Sequence, residues 1–93
     1  MALHACFSPH PARPVPGCRR LTWLPVRGDE RCRVVEWTCD CIAVFYELCQ
    51  AGGQFYIRKT VNDDTAREIT ESHRTTHVEA REVWAAILTG RLR

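Results

Sequence analysis

The side-chain pattern between residues 42 and 88 changes once, from alternation to helical spacing, and this change constrains the fold more than any other feature. Apolar residues alternate through residues 42–48 and again through 54–61, and the Gly52-Gly53 pair separates the two stretches. Alternation of this kind predicts half-buried strands joined by a tight turn. A third strand-like stretch at 67–73 precedes the helical pattern. The sequence therefore predicts an α+β fold, a three- to four-stranded antiparallel β-meander packed by one C-terminal α-helix.

The helix has clear start and stop signals. Thr76 and Glu79 have the spacing of a capping box, which satisfies backbone donors at a helix N-terminus. Gly90 follows the last apolar position, as expected of a helix end. The stripe that should face the sheet consists of Ala80, Val83, Trp84, Ile87 and Leu88. Trp84, the largest of these, is predicted to be the centre of the core.

Residues 42–49 allow two interpretations. As a strand, they place Ile42, Val44, Tyr46 and Leu48 on one face; as a helix capped by Gly52, they form a different stripe. β-Branched and aromatic residues favour the strand. A preceding strand at 33–39 should turn Val35, Trp37 and Cys39 to one face. The predicted core is Val35, Trp37, Ile42, Val44, Tyr46, Leu48, Phe55, Ile57, Val83, Trp84, Ile87 and Leu88.

The first 31 residues differ in composition from the rest. All five prolines lie within the first 25 residues, and no apolar periodicity is present there. Such a segment buries too little apolar surface to offset its ordering entropy. Residues 1–31 are therefore predicted to be a disordered, flexible Pro/Arg-rich tail in which only residues 21–24 dock, and residues 32–93 to be a single small domain. A wrongly assigned translation start is an alternative explanation of the tail.

Charge is divided in the same way. Residues 1–31 carry five arginines against two acidic residues, a net +3, whereas residues 32–93 carry eight basic and nine acidic residues, a net −1. A dedicated nucleic-acid domain usually presents a basic face. The near-neutral body therefore favours a protein partner over a nucleic acid.

Targeting signals are not apparent in the sequence. The N-terminus lacks the apolar stretch of a secretory signal, and no apolar run approaches the roughly 18–20 residues of a membrane span. We therefore expect a cytoplasmic protein without a membrane partner.

The six cysteines raise the question of a metal site. Without an export signal, reduced thiols that pack as small apolar residues are expected, rather than disulfides. The pair Cys39-x-Cys41 fits the usual zinc knuckle poorly, because the knuckle places two to four residues between its cysteines. No cofactor is therefore expected. If zinc is bound, the predicted ligands are Cys32, Cys39, Cys41 and Cys49.

Catalytic motifs are also missing from the sequence. A cysteine with His73, His77 and Asp40 could form a nucleophile, base and acid set, but no nucleophile elbow, phosphate loop or metalloprotease motif accompanies them. A body of about 62 residues also leaves little room for a water-excluding cleft. The protein is predicted not to be an enzyme.

Strands followed by the Thr76-x-x-Glu79-Ala-x-x-x-Trp84 helix resemble the β-β-β-α domains of AP2-like proteins and of phage integrase arm-binding domains, over residues 42–89. The resemblance implies a sheet that lies in the DNA major groove. In general style, the arginine-rich composition also resembles small proteins of GC-rich actinobacteria. The resemblance implies, by position, a partner-contacting set of Tyr56, Arg58, Thr60, Arg67 and Arg74.

These observations predict a small non-enzymatic binding or regulatory module. A protein–protein interaction is the first hypothesis, because the folded part is near neutral. Sheet-mediated DNA binding is the second, and a small structural zinc-binding protein is the third.

Overall fold

The computed structural model describes residues 8–27 and 31–93 of the chain. These residues form five strands and one helix: β1 (Leu24–Pro25), β2 (Arg33–Trp37), β3 (Val44–Ala51), β4 (Gln54–Asn62), β5 (Arg67–Glu71) and α1 (His77–Leu88). The strands make one antiparallel sheet in the order β1-β5-β4-β3-β2. The predicted α+β fold is confirmed, with β1 adding a short strand to the expected three or four. None of the helices in the described ranges has the length and apolar character needed to span a membrane.

The β3–β4 hairpin is the centre of the sheet and settles the strand-or-helix question in favour of the strand. Its register pairs Leu48 with Ile57 and closes at Ala51 and Gln54. Gly52 has a φ of 60°, which a two-residue hairpin turn needs at its first position and which glycine adopts without a steric cost. The hairpin therefore forms where alternation and the Gly-Gly pair predict it.

Helix α1 begins and ends as its sequence predicts. The Thr76 side chain accepts a hydrogen bond from the Glu79 backbone N–H at 3.2 Å, which confirms Thr76 as the N-cap. The Glu79 carboxylate, however, is hydrogen-bonded by the Thr75 hydroxyl, so the reciprocal half of a capping box is replaced. At the other end, Gly90 adopts a φ of 78°, and the N–H groups of Gly90 and Arg91 donate to carbonyls of the last turn. This pattern is a Schellman motif.

The core lies between α1 and the sheet face that α1 covers, which we call the helix-side face. Its buried residues are Tyr46, Leu48, Ile57, Ala80, Trp84 and Ile87. The predicted core residues Val35, Val44, Phe55, Val83 and Leu88 are partly buried and pack against this cluster. Most of the predicted core is thereby confirmed.

The core prediction was wrong for two residues, Trp37 and Ile42, which are exposed. Trp37 is 53% exposed, because a β-bulge between Val34 and Glu36 interrupts the alternation of β2 and places Trp37 opposite Glu47 on the other face. Val35 and Trp37 therefore do not share a face. Ile42 is 37% exposed, since it lies in the connection before β3 rather than within the strand.

The N-terminal segment, residues 8–27, lies against the end of α1. The N–H of Ala12 donates to the Leu88 carbonyl, and Arg19 exchanges main-chain hydrogen bonds with the residues that follow the helix. A Cβ added at Gly90 would overlap the carbonyl oxygen of Arg13, so only glycine allows this approach. The contacts thus extend well beyond the docking of residues 21–24 that the sequence predicts. The division at residue 31 into a flexible tail and a domain stays a prediction, and its residues 1–7 and 28–30 lie outside the described residues.

Candidate functional site

The predicted partner-contacting residues lie on or beside the outer face, the side of the sheet away from α1. At its centre Arg58 forms a two-point ion pair with Glu47, at 2.9 and 3.1 Å. The two side chains are only 25% and 20% exposed. This hydrogen-bonded pair raises the pKa of Arg58 above its usual value, with partial burial opposing. The Arg58 guanidinium is therefore held by an intramolecular ion pair, and most of the side chain is buried.

The other members of the predicted set differ in accessibility. Tyr56 is buried, and the Arg74 guanidinium lies over its ring at 4.3 Å from the ring centroid. Arg74 also pairs with Glu71 at 3.3 Å, and both side chains are about nineteen-twentieths buried. Thr60 is buried, whereas Arg67 is exposed at the start of β5. The structure thus brings Tyr56 and Arg74 together, but Arg67 is the only exposed member of the set.

A small apolar cluster explains why this face is so closely packed. Cys49, Ala51 and Tyr56 are buried there, with Cys32 and Val34 packed against them. Burial raises the pKa of Cys49 to about 12, and burial also raises the pKa of Tyr56. Both groups are therefore neutral at physiological pH. The cluster is a second, smaller core on the outer face of the sheet.

The four cysteines proposed as zinc ligands separate into two pairs. Cys32 and Cys49 belong to the outer-face cluster, where Arg58 donates to the Cys32 sulfur at 3.4 Å. Cys39 and Cys41 lie instead at the turn between β2 and β3, beside His10. The separation follows from the strand pairing, because Cys49 lies opposite Tyr56 in mid-sheet while the turn lies beyond the end of β2. His10, which is not among the ligands predicted from the sequence, takes the place of Cys32 and Cys49 beside Cys39 and Cys41.

The remaining candidates for catalysis occupy exposed positions. His77 lies in the first turn of α1, where its ring contacts that of Phe55 with centroids 4.7 Å apart and planes tilted by 40°. It also accepts a hydrogen bond from Arg81. His73 follows β5, and Asp40 lies in the turn after β2. All three side chains are exposed. The three residues lie on separate segments, namely the turn after β2, the segment after β5 and the start of α1.

A concave feature lies on the helix-side face, between the N-terminal segment and the sheet. We call it the helix-side groove; its volume is about 610 Å³. Its lining includes four cationic side chains, Arg13, Arg20, Lys59 and Arg93, and no carboxylate side chain from the described residues. Volumes of this order are typical of sites that bind small molecules or peptide side chains. The groove therefore combines a bindable size with one sign of charge.

The floor and walls of the groove are apolar. They include Leu21, Trp23, Val44, Tyr46, Ile87 and Leu92. Ile42, the exposed residue that was expected in the core, also lines it. A ligand that fits here has to bury apolar groups and carry negative charge.

Lys59 is the cation at the centre of this arrangement. Its ammonium lies 5.1 Å from the Trp23 ring centroid and 5.9 Å from that of Tyr46, within range of cation–π attraction. Partial burial lowers the pKa of Lys59, the positive charges of Arg93 and Arg20 lower it further, and Glu68 opposes them. The part of this lowering that comes from Arg93 and Arg20 is a repulsion between positive charges, which a bound anion would relieve.

Sequence reasoning missed the groove because its cations come from distant parts of the chain. Arg13 and Arg20 were assigned to the tail, and Lys59 was counted only as a member of a strand. The signal that was available is the position of Lys59: it interrupts the apolar alternation of Phe55, Ile57 and Val61 on the helix-side face. A charged residue at such a position indicates a part of the face that the helix does not cover.

No family model, curated protein or solved structure matches this chain. The resemblance to AP2-like and integrase arm-binding domains therefore stays a prediction.

Proposed function

We propose that this protein is a small non-enzymatic binding module that holds an acidic segment of a partner protein in the helix-side groove. The observation that carries the proposal is the lining of the groove, with four cationic side chains around an apolar floor and no carboxylate side chain from the described residues. An acidic segment with a leucine, isoleucine or phenylalanine among its carboxylates matches both features. Charge complementarity of this kind sets partner choice and association rate.

The contacts of the aromatic residues favour a peptide over single-stranded nucleic acid. Proteins that bind single strands stack bases on aromatic rings. Here Lys59 lies over both Trp23 and Tyr46, and Tyr46 is buried. The rings are thus already covered, whereas the aliphatic part of the floor remains suited to side chains.

The ion pairs on the outer face favour the same conclusion over DNA binding by the sheet. Arg58 and Arg74 pair with Glu47 and Glu71, so a phosphate would have to compete with carboxylates that are already bound. Breaking such partly buried pairs is costly. Arg67 alone offers an exposed charge among the predicted DNA-contacting residues.

A peptide-display selection on the full chain tests the proposal. Selected peptides should be enriched in Asp and Glu together with Leu, Ile or Phe. Removal of each charge should weaken binding about two- to fivefold. Affinity, measured by fluorescence polarisation, should therefore fall at least about eightfold in the triple variant Arg13→Gln, Arg20→Gln, Lys59→Gln. The matched control is Arg67→Gln, which removes an exposed arginine outside the groove.

Two results would count against the groove. One is a selection without acidic enrichment; the other is an unchanged affinity in the triple variant. A parallel titration with duplex DNA examines the alternative function: binding that weakens steeply with salt and is lost in Arg58→Ala would assign the interface to the sheet instead.

A further inference from the structure

Three potential metal ligands meet at the turn between β2 and β3. The ligand atoms of His10, Cys39 and Cys41 all lie within 4.8 Å of one another. The imidazole Nε2 of His10 is 3.1 Å from the Cys41 sulfur. His10 is 31 positions before Cys41 in the sequence, and none of the three residues lines the helix-side groove. The cluster is therefore a separate feature.

The backbone holds the two parts of the cluster together. The Cys39 N–H donates to the Pro9 carbonyl at 2.9 Å, which places His10 beside the turn. Cys39 is buried, whereas His10 and Cys41 are exposed. One ligand is thus anchored in the protein, and the other two leave a path by which an ion can enter.

The spacing is close to that of a tetrahedral zinc site. Zinc bonds of about 2.0–2.3 Å to nitrogen and sulfur place ligand atoms about 3.5–3.8 Å apart. The His10–Cys41 distance of 3.1 Å needs an adjustment of a few tenths of an ångström, and the 4.8 Å limit on the others needs at most about 1 Å. Side-chain rotation about exposed Cys41 and His10 can supply such shifts.

The donor set selects the metal. Two thiolates and an imidazole are typical zinc ligands, whereas magnesium and calcium prefer oxygen. A Cys-x-Cys pair alone fits a zinc knuckle poorly, but His10 approaches from a different segment and removes the need for a second knuckle.

We infer that His10, Cys39 and Cys41 bind a zinc ion that joins the N-terminal segment to the β2–β3 turn. On binding, the two thiols release their protons to the buffer as the zinc–sulfur bonds form, and no redox change is involved. A cross-link of this kind suits a small domain, because metal binding adds to the folding free energy where the core is modest. The inference is independent of the proposed peptide groove.

Metal binding by the full chain, reduced and freed of metal, tests the inference. Native mass spectrometry should show one zinc per chain, and competition with a chromophoric chelator gives the affinity. We expect His10→Ala and Cys41→Ser to lower zinc affinity by at least about tenfold each. Both residues are exposed, so both variants should fold, which circular dichroism verifies. The matched controls are Cys18→Ser and Cys32→Ser, which remove thiols outside the cluster and should leave the affinity unchanged.

Cobalt(II) supplies a second measurement that reports the ligands directly. The wild-type complex should show thiolate-to-cobalt charge transfer and the visible bands of tetrahedral cobalt. The charge-transfer intensity should fall in Cys41→Ser and persist in Cys32→Ser. Absence of zinc uptake by the reduced wild-type chain would overturn the inference. So would unchanged affinity in both His10→Ala and Cys41→Ser, or a loss of affinity confined to Cys32→Ser.

Discussion

Replacing Trp84 with alanine should lower the free energy of unfolding by about 3–5 kcal/mol. Trp84 is 4% exposed and packs in the same cluster as Leu48, Ile57 and Ile87, so nearly its whole side chain is removed from water. A buried tryptophan removes about 200 Å² of surface, which at about 25 cal/mol/Å² corresponds to about 5 kcal/mol. Alanine retains a small part of this contribution, and incomplete collapse of the cavity adds to the loss.

The loss is large for a chain of this size. At about 0.05–0.15 kcal/mol per residue, the 93 residues should have a total stability of about 5–14 kcal/mol. Urea denaturation followed by circular dichroism measures the difference, provided that the slope with denaturant is unchanged. Trp84→Phe, expected to lose about 1–2 kcal/mol, keeps the prediction measurable if the alanine variant is unfolded.

Val78 provides the matched control on the same helix. Val78 is 67% exposed, and alanine has the higher helix propensity, so Val78→Ala should leave stability unchanged or raise it slightly. If Trp84→Ala loses less than about 1 kcal/mol, the packing of α1 on the sheet described above is refuted.

Three further predictions concern the backbone, the outer-face cluster and the ion pair. Gly90→Ala should lower stability in thermal unfolding by at least about 1 kcal/mol more than Gly52→Ala does. Both glycines have positive φ, but only a Cβ at Gly90 would overlap a carbonyl oxygen of the N-terminal segment. Equal losses would contradict that close approach. Burial raises the pKa of the Cys49 thiol from 9.0 to about 12, so the folded state retains this proton more strongly than the unfolded state. The stability that this provides below pH 9.0 should be lost as pH rises towards 12. Cys49→Ala should flatten the pH dependence in that window, and an unchanged slope of unfolding free energy against pH would show that the thiol is not buried as described. Glu47→Gln should lower the free energy of unfolding by about 1–2 kcal/mol, because it weakens the two-point pair with Arg58, in which both side chains are at least three-quarters buried. If the pair is intact in solution, a double-mutant cycle with Arg58→Met should recover most of this loss as coupling energy.

Elements whose signals are local were predictable from the sequence. The hairpin followed from alternation around a Gly-Gly pair, and α1 followed from its N-cap at Thr76 and its end at Gly90. Such signals depend on neighbours a few residues away, so they do not require knowledge of the tertiary structure. The core residues of these elements were identified for the same reason.

Predictions failed where one residue changes a register or where distant segments meet. A single bulge in β2 turned Trp37 to the outer face, since each added residue reverses the face of those that follow. Strand pairing then separated Cys49 from Cys39 and thereby divided the cysteine set. Periodicity carries no information about either event.

The sequence by itself determined the α+β class, the hairpin and the helix with its ends, because each depends on side-chain period and on local backbone preference. Only the tertiary structure decided where the N-terminal segment lies. Its main-chain hydrogen bonds to the end of α1 bring Arg13 and Arg20 to Lys59, and its contact with the β2–β3 turn brings His10 to Cys41. Both candidate sites therefore arise from contacts between residues that are distant in the chain, which no local pattern records.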